Sequence, residues 1–318
     1  MNNKNQNLDF GRFDFVKLSS IFGSISIATF LLAILYFLVA GVNWGIDFRG
    51  GTEIQIRFQQ QVAIDDIKKN LESIRLGEFG VQGFSGEQSE YLIRFQTEKL
   101  ATEKETNEAL NKKIESVRES LLTGFANQGP EVRRVDTVGP QVGSDLKRSS
   151  ALAVFYSLLI ILIYIALRFD YKYAPGAVAC LFHDAFITLA LFSALGKEIN
   201  VPAVAAILTL LGFSLNDTIV VFDRMRETEE QYRLKGTAFI INRALNDMLG
   251  RTLKTSVSVC ISAMCLYFIA GGAVADIALT IFMGIIIGTY SSVYVAAPLV
   301  IVVEKLMSTA PNPRGVRV

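Results

Sequence analysis

Six long stretches almost without charge decide what this 318-residue chain can fold into. Residues 18–46, 149–167, 255–275 and 277–303 contain no Asp, Glu, Lys or Arg, while 173–196 is interrupted only by His183 and Asp184 and 199–222 only by Asp217. A helix needs roughly 20 apolar residues to cross the hydrocarbon of a bilayer, and soluble helices rarely run so far without a charge. The chain is therefore expected to be a multi-span α-helical membrane protein. Its six transmembrane helices are expected at about 18–44, 149–167, 174–195, 203–222, 252–271 and 278–303. Only 19% of residues are charged, against about a quarter in soluble domains.

Several function classes are excluded. The first apolar run is longer than the roughly 7–15 residues of a signal-peptide core, so it reads as an anchor. A single histidine rules out HExxH metalloproteases and Cys/His catalytic arrangements. Cys180, Cys260 and Cys265 lie in apolar runs without CxxC spacing, so no disulfide framework, metal or cofactor is expected. No Walker A pattern occurs, and a membrane transport subunit without its own ATPase site is expected in place of an enzyme.

Lys and Arg set the orientation. Arg224, Arg226, Arg233, Lys235, Arg243, Arg251 and Lys254 crowd between the fourth and fifth spans, whereas 197–202 and 271–276 hold only Lys197 between them. That crowded segment is expected in the cytoplasm, with both termini, 1–17 and 304–318. The loop 45–148 is then extracytoplasmic. Between residues 45 and 143 there are 13 Lys and Arg against 16 Asp and Glu, net −3, which does not suit nucleic acid. Within the loop, Thr52, Ile54, Ile56 and Phe58 alternate as a strand does, and Ile64, Ile67, Leu71 and Ile74 follow with helical spacing. Tyr91, Ile93 and Phe95 give a further strand, Leu110, Ile114, Val117 and Leu121 a second helix, and 131–138 a last strand. This order predicts an α+β ferredoxin-like domain, with the polar run Gln96–Thr106 as an exposed excursion.

Asp217 is the first candidate for chemistry, because a carboxylate in the body of a span costs several kcal/mol and normally faces a polar interior. Ser214, Asn216 and Thr218 extend a polar strip beside it. Arg251 heads a stripe of Thr255, Ser258 and Ser262 at spacings of four, three and four, which share one helical face. A guanidinium there is placed to meet Asp217 and adjust its protonation. Gly284, Gly288, Ser292 and Ala296, each four apart, form a small-residue ridge for helix packing. His183 and Asp184 read equally as members of a proton path and as a satisfied pair near the interface. Gly50 and Gly51 at one neck of the outer domain, and Gly139, Pro140 and Gly143 at the other, are hinge candidates, although plain turns would look the same.

The stretches GIDFRGGT at 45–52, VGPQVG at 138–143, GFSLNDTIVVFDRMRE at 212–227, RTLKTS at 251–256 and GTYSSVYVAAP at 288–298 resemble the SecF family of the bacterial Sec protein-export machinery, within the resistance-nodulation-division superfamily. RFDYKYAPGAV and HDAFITL, within 168–189, add to the likeness. The resemblance implies a subunit of the bacterial cytoplasmic (inner) membrane that pairs with SecD, joins the SecYEG channel and uses protons to promote export of unfolded preproteins. It also implies proton transport by Asp217 and Arg251. Internal repeats are usual in such folds, and no second copy of these motifs occurs here, so a separate partner half is expected. The competing expectations are a half-size proton-coupled exporter of small molecules or lipids, and a scaffold without transport.

Overall fold

The computed structural model describes residues 12–74, 76–77, 79–83, 89–96 and 103–309. Residues 97–102 of the expected polar excursion, and the outermost parts of both expected cytoplasmic ends, lie outside them.

Among the described residues six helices are long and apolar enough to cross a membrane. They are α1 (Phe15–Ala40), α5 (Pro140–Arg168), α6 (Ala174–Ala194), α7 (Val201–Gln231), α8 (Thr237–Ile269) and a last span in which α9 (Gly272–Ser291) passes through a π-helical turn, Ser292–Ala296, into α10 (Ala297–Thr309). Local chemistry starts them. Asp14 accepts from the Lys17 amide at 3.0 Å, Asn200 accepts from the Ala203 amide at 2.9 Å, and α5, α6 and α7 carry Pro140, Pro175 and Pro202 in their first turns, where no intrahelical amide donor is needed.

Three helices outrun the apolar segments that announced them. The loop 45–148 was expected to end where the second span begins, but α5 starts at Pro140, so the last strand of the outer domain passes directly into a membrane helix. At the other face α7 runs on to Gln231 and α8 begins at Thr237. Their polar extensions support each other: Arg224 reaches Asp247 at 2.5 Å, and Lys172 and Tyr173 hold Glu229 at 2.7 and 3.2 Å.

The centre of the bundle is built from α6, α7, α9 and α10, with Cys180, Leu181, Leu210, Leu211, Phe222, Ala296 and Val300 buried together. By contrast α1, α5 and α8 turn Leu35, Leu38, Ile160, Leu167, Val257 and Ile261 outward. Water does not suit such faces; lipid or another helix does.

The outer domain holds β1 (Gly51–Arg57), α3 (Ile64–Glu72), β2 (Phe79–Gly83), β3 (Glu90–Phe95), α4 (Glu103–Gly124) and β4 (Glu131–Val138). The sheet order is β2-β3-β1-β4, with every neighbouring pair antiparallel. That is the order and sense of a βαββαβ unit, compatible with the ferredoxin-like class. One face carries Ile54, Ile56, Phe58, Ile93 and Phe95, buried under Ile67 and Leu71 of α3 and Val117 and Leu121 of α4.

A short helix, α2 (Ile46–Arg49), ties this domain to the bundle. The Gly45 amide donates to Ile199 O and the Ile199 amide to Asn43 O, both at 2.8 Å. Asp47 accepts from the Val201 amide at 2.9 Å, so a residue of the neck caps the start of α7. Arg94 of β3 bridges Glu53 at 2.6 Å and Glu198 at 3.3 Å. The two necks also press on each other, because Gly50 holds φ +77° against Pro140 and Gly143 faces the Gly50 amide.

Candidate functional site

Asp217 is half-buried about halfway along α7, its carboxylate facing a cleft of about 440 Å³ between α7, α8 and α9. Ser214 and Asn216 line the cleft from α7, Lys254, Thr255, Ser256 and Ser258 from α8, and Gly284, Gly288 and Thr289 from α9. Among the described residues no hydrogen bond or ion pair holds the Asp217 carboxylate. Arg251 stands exposed near the middle of α8, just before the residues that line the cleft, and among the described residues forms no ion pair with it. The cleft therefore keeps a carboxylate accessible to water or a partner, with hydroxyls around it.

The predicted hydroxyl stripe divides. Thr255 and Ser262 bond back to their own helix, to Thr252 O at 2.9 Å and Ser258 O at 3.0 Å, and Ser262 does not line the cleft. The hydroxyls that cross between helices are Ser256 and Thr289, 2.7 Å apart. Sequence reasoning missed this pair. The signal was present in Thr252, Ser256 and Ala263, small residues on one helical face, all of which are buried.

A second polar centre lies deeper. His183 and Asp184 stand at mid-length of α6 rather than near an interface, and Asp184 is 0% exposed. His183 Nδ1 is 2.9 Å from Asp184 Oδ1. Asp184 Oδ2 accepts from Ser214, from Ser291 at 2.9 Å and from Cys180 at 3.7 Å. Thr218 and Ser292 close the cluster at 3.1 Å from each other. Thus Ser214 and Thr218 face inward while Asp217, on the same helix, faces the cleft.

The small residues of the last span make room for this. A side chain at Gly288 would stand 3.3 Å from Ser214 Cβ and 3.5 Å from Asp184 Oδ2, and one at Gly284 would run into Leu210 at 2.4 Å. Ser292 is buried and bonds Gly288 O at 2.9 Å and Thr218. Of the neck residues, Gly139 precedes α5, Pro140 opens it and Gly143 is buried within it, while Gly50 and Gly51 both have positive φ.

Comparisons with known proteins agree on one family. The model of the C-terminal region of the SecD/SecF protein export membrane proteins matches residues 117–306, and that of the SecD/SecF GG motif matches 36–62. The chain is 40% identical to the protein translocase subunit SecF of Magnetococcus marinus, over 92% of each chain, and 37% identical to that of Desulfurispirillum indicum, over 90% of each. It also superposes on the crystal structure of SecDF, a translocon-associated membrane protein from Thermus thermophilus, with a TM-score of 0.80 at 32% identity. That match covers 92% of this chain and 39% of the SecDF chain, so the chain spans about two fifths of the length of that solved relative. The super-membrane-facing form of SecDF gives a TM-score of 0.65. With six apolar helices it is a multi-pass protein of the inner membrane, a transport subunit and not a catalytic enzyme. The chain belongs to the SecF family of protein translocase subunits.

Proposed function

We propose that this subunit couples the proton gradient to protein export. It pairs with a SecD half, stands beside the SecYEG channel and promotes outward movement of unfolded preproteins, with no ATPase site of its own. The observation that carries this is Asp217, a carboxylate in the body of a span that faces an open cleft instead of a bonded partner. Asn216, Thr255 and Ser258 offer hydrogen bonds to water in that cleft, and Lys254 at its wall and Arg251 nearby supply positive charge from the adjoining helix. The pairing with SecD is supported by the SecDF relative, in which more than half of the chain lies beyond the matched part. The outer domain faces outside and both termini face the cytoplasm, because Lys and Arg concentrate in the end of α7, the turn after it and the first half of α8.

Replacing Asp217 by Asn keeps size and polarity and removes the titratable proton. Export from inverted vesicles or cells should then lose its gradient-dependent part while the protein accumulates normally, and Asp217→Glu should keep some of it. Unaltered gradient-dependent export by the Asn variant at normal abundance would remove Asp217 from the mechanism.

A further inference from the structure

We propose that His183 and Asp184 form a second proton-binding station inside the bundle, coupled to the cleft of Asp217 through Ser214. The inference rests on the proton-driven reading and adds a site to it.

The pair is built like a titrating centre. A packing role needs only hydrogen bonds, and an amide at 184 would accept from Ser214 and Ser291 as the carboxylate does; what the carboxylate adds is charge. The oxygens of Asp184 are fully engaged, Oδ2 by Ser214, Ser291 and Cys180, and Oδ1 by His183 Nδ1. Across the ring from that contact, His183 Nε2 is buried and has no partner among the described residues. One proton fits between Nδ1 and Oδ1. A second proton fits on Nε2 without breaking any of these bonds, and the resulting imidazolium lies 2.9 Å from a carboxylate that compensates its charge.

The surroundings leave this charge to the pair. Cys180 is the other titratable group of α6 at the cluster, α7 contributes Asp217 on its cleft side, and α1 contributes Phe30, stacked 6.4 Å from the imidazole; the Tyr290 hydroxyl of α9 turns instead to Phe22 O, and that of Tyr36 on α1 to Ser193 at 3.4 Å. No Lys or Arg bonds to Asp184 or His183 among the described residues. Ser214 is the link: it stands one turn from Asp217 on α7, lines the same cleft, and gives its hydroxyl hydrogen to Asp184. Gly288 keeps the partition thin, since a Cβ there would already stand 3.3 Å from Ser214 Cβ and touch the carboxylate at 3.5 Å.

His183 is the single histidine of the chain, so nitrogen NMR of the full, untagged protein in lipid vesicles, labelled at histidine, reports this ring alone. Expected is a change from neutral imidazole to imidazolium within the pH range where the protein stays folded. Asp184→Asn removes the charge opposite the ring and should change this transition. Asp217→Asn should displace the titration, and Ser214→Ala should abolish that displacement. A ring that keeps one protonation state across the folded range overturns the proposal, and wild type alone decides this, whether or not the Asn variant folds. A titration that ignores Asp217 overturns the coupling. If the ring titrates and responds to Asp217 while Asp217→Asn exports normally, the station stands and the proton-driven reading fails.

Discussion

A methyl group at position 143 would stand 3.0 Å from the Gly50 amide nitrogen and 3.3 Å from Phe48 O, with backbone on both sides and nothing flexible to yield. Gly143→Ala should therefore part the two necks of the outer domain and destabilise the protein by about 1–3 kcal/mol, the usual range for overpacking. Thermal unfolding of the purified subunit checks this, and an unchanged melting temperature would mean that the necks slide apart freely. Glu198 tests a different balance. Burial raises its carboxyl above the ordinary range, more than the neighbouring Arg94 guanidinium lowers it. Its ionised form thus costs the folded state, and the stability this carboxyl confers is present at acid pH and lost as pH rises through the elevated value. Glu198→Gln should melt at or slightly above wild type at neutral pH, with the difference vanishing on acidification, since Arg94 keeps Glu53 at 2.6 Å. A clear fall at neutral pH would show that the ion pair outweighs the burial.

Among the elements, α9 has a face that leaves little room, with Gly284 against Leu210 and Gly288 against Ser214. Gly288→Leu drives a branched side chain into Ser214 and Asp184, so abundance or assembly in the membrane should drop severely, whereas Ser256→Ala removes the 2.7 Å contact to Thr289 and the bond back to Thr252 O at 2.9 Å and should cost about 0.6 kcal/mol. Quantitative blotting of membranes and unfolding in detergent separate the two; equal abundance of the Leu variant and wild type would contradict the packing described. The spans were legible in the sequence because a soluble helix must turn a charged or polar face to water every few residues, and a helix surrounded by lipid has no such need. β2 was not, since Phe79–Gly83 contains two glycines and only a weak alternation. On α8 the stripe divides: Thr255 and Ser258 line the cleft of Asp217 as their spacing suggested, while the contact to α9 is made by the neighbouring Ser256, and only the neighbouring helices fix that rotation. The surroundings of Asp184 were beyond local reading altogether, because its donors come from positions 30 and 107 residues away.

For the molecule as a whole, α7 is a single unbroken helix of 31 residues, and both of its ends are held. At one end Asp47 and the Gly45–Ile199 backbone pair fasten it to the outer domain, and at the other Glu229 is gripped by Lys172 and Tyr173. Asp217 lies 16 residues from Val201, about 24 Å along the axis at about 1.5 Å per residue. A stiff rod fastened this way works as a lever. Tilting it by about five degrees around the cleft would swing its outer end by about 2 Å, and the domain mounted there would travel farther still. Spin labels on the outer domain and on the α5 surface should thus report a distance change between wild-type and Asp217→Asn proteins in vesicles, and it should shrink when Asp47→Ala removes the fastening. Unchanged distances in both would show that the domain does not follow α7. Amplitude in a lever is set by arm length and by the firmness of its bolts, so under the proposed proton-driven function a change of one proton at Asp217 would become a stroke of the domain mounted on α7 without any flexible joint between.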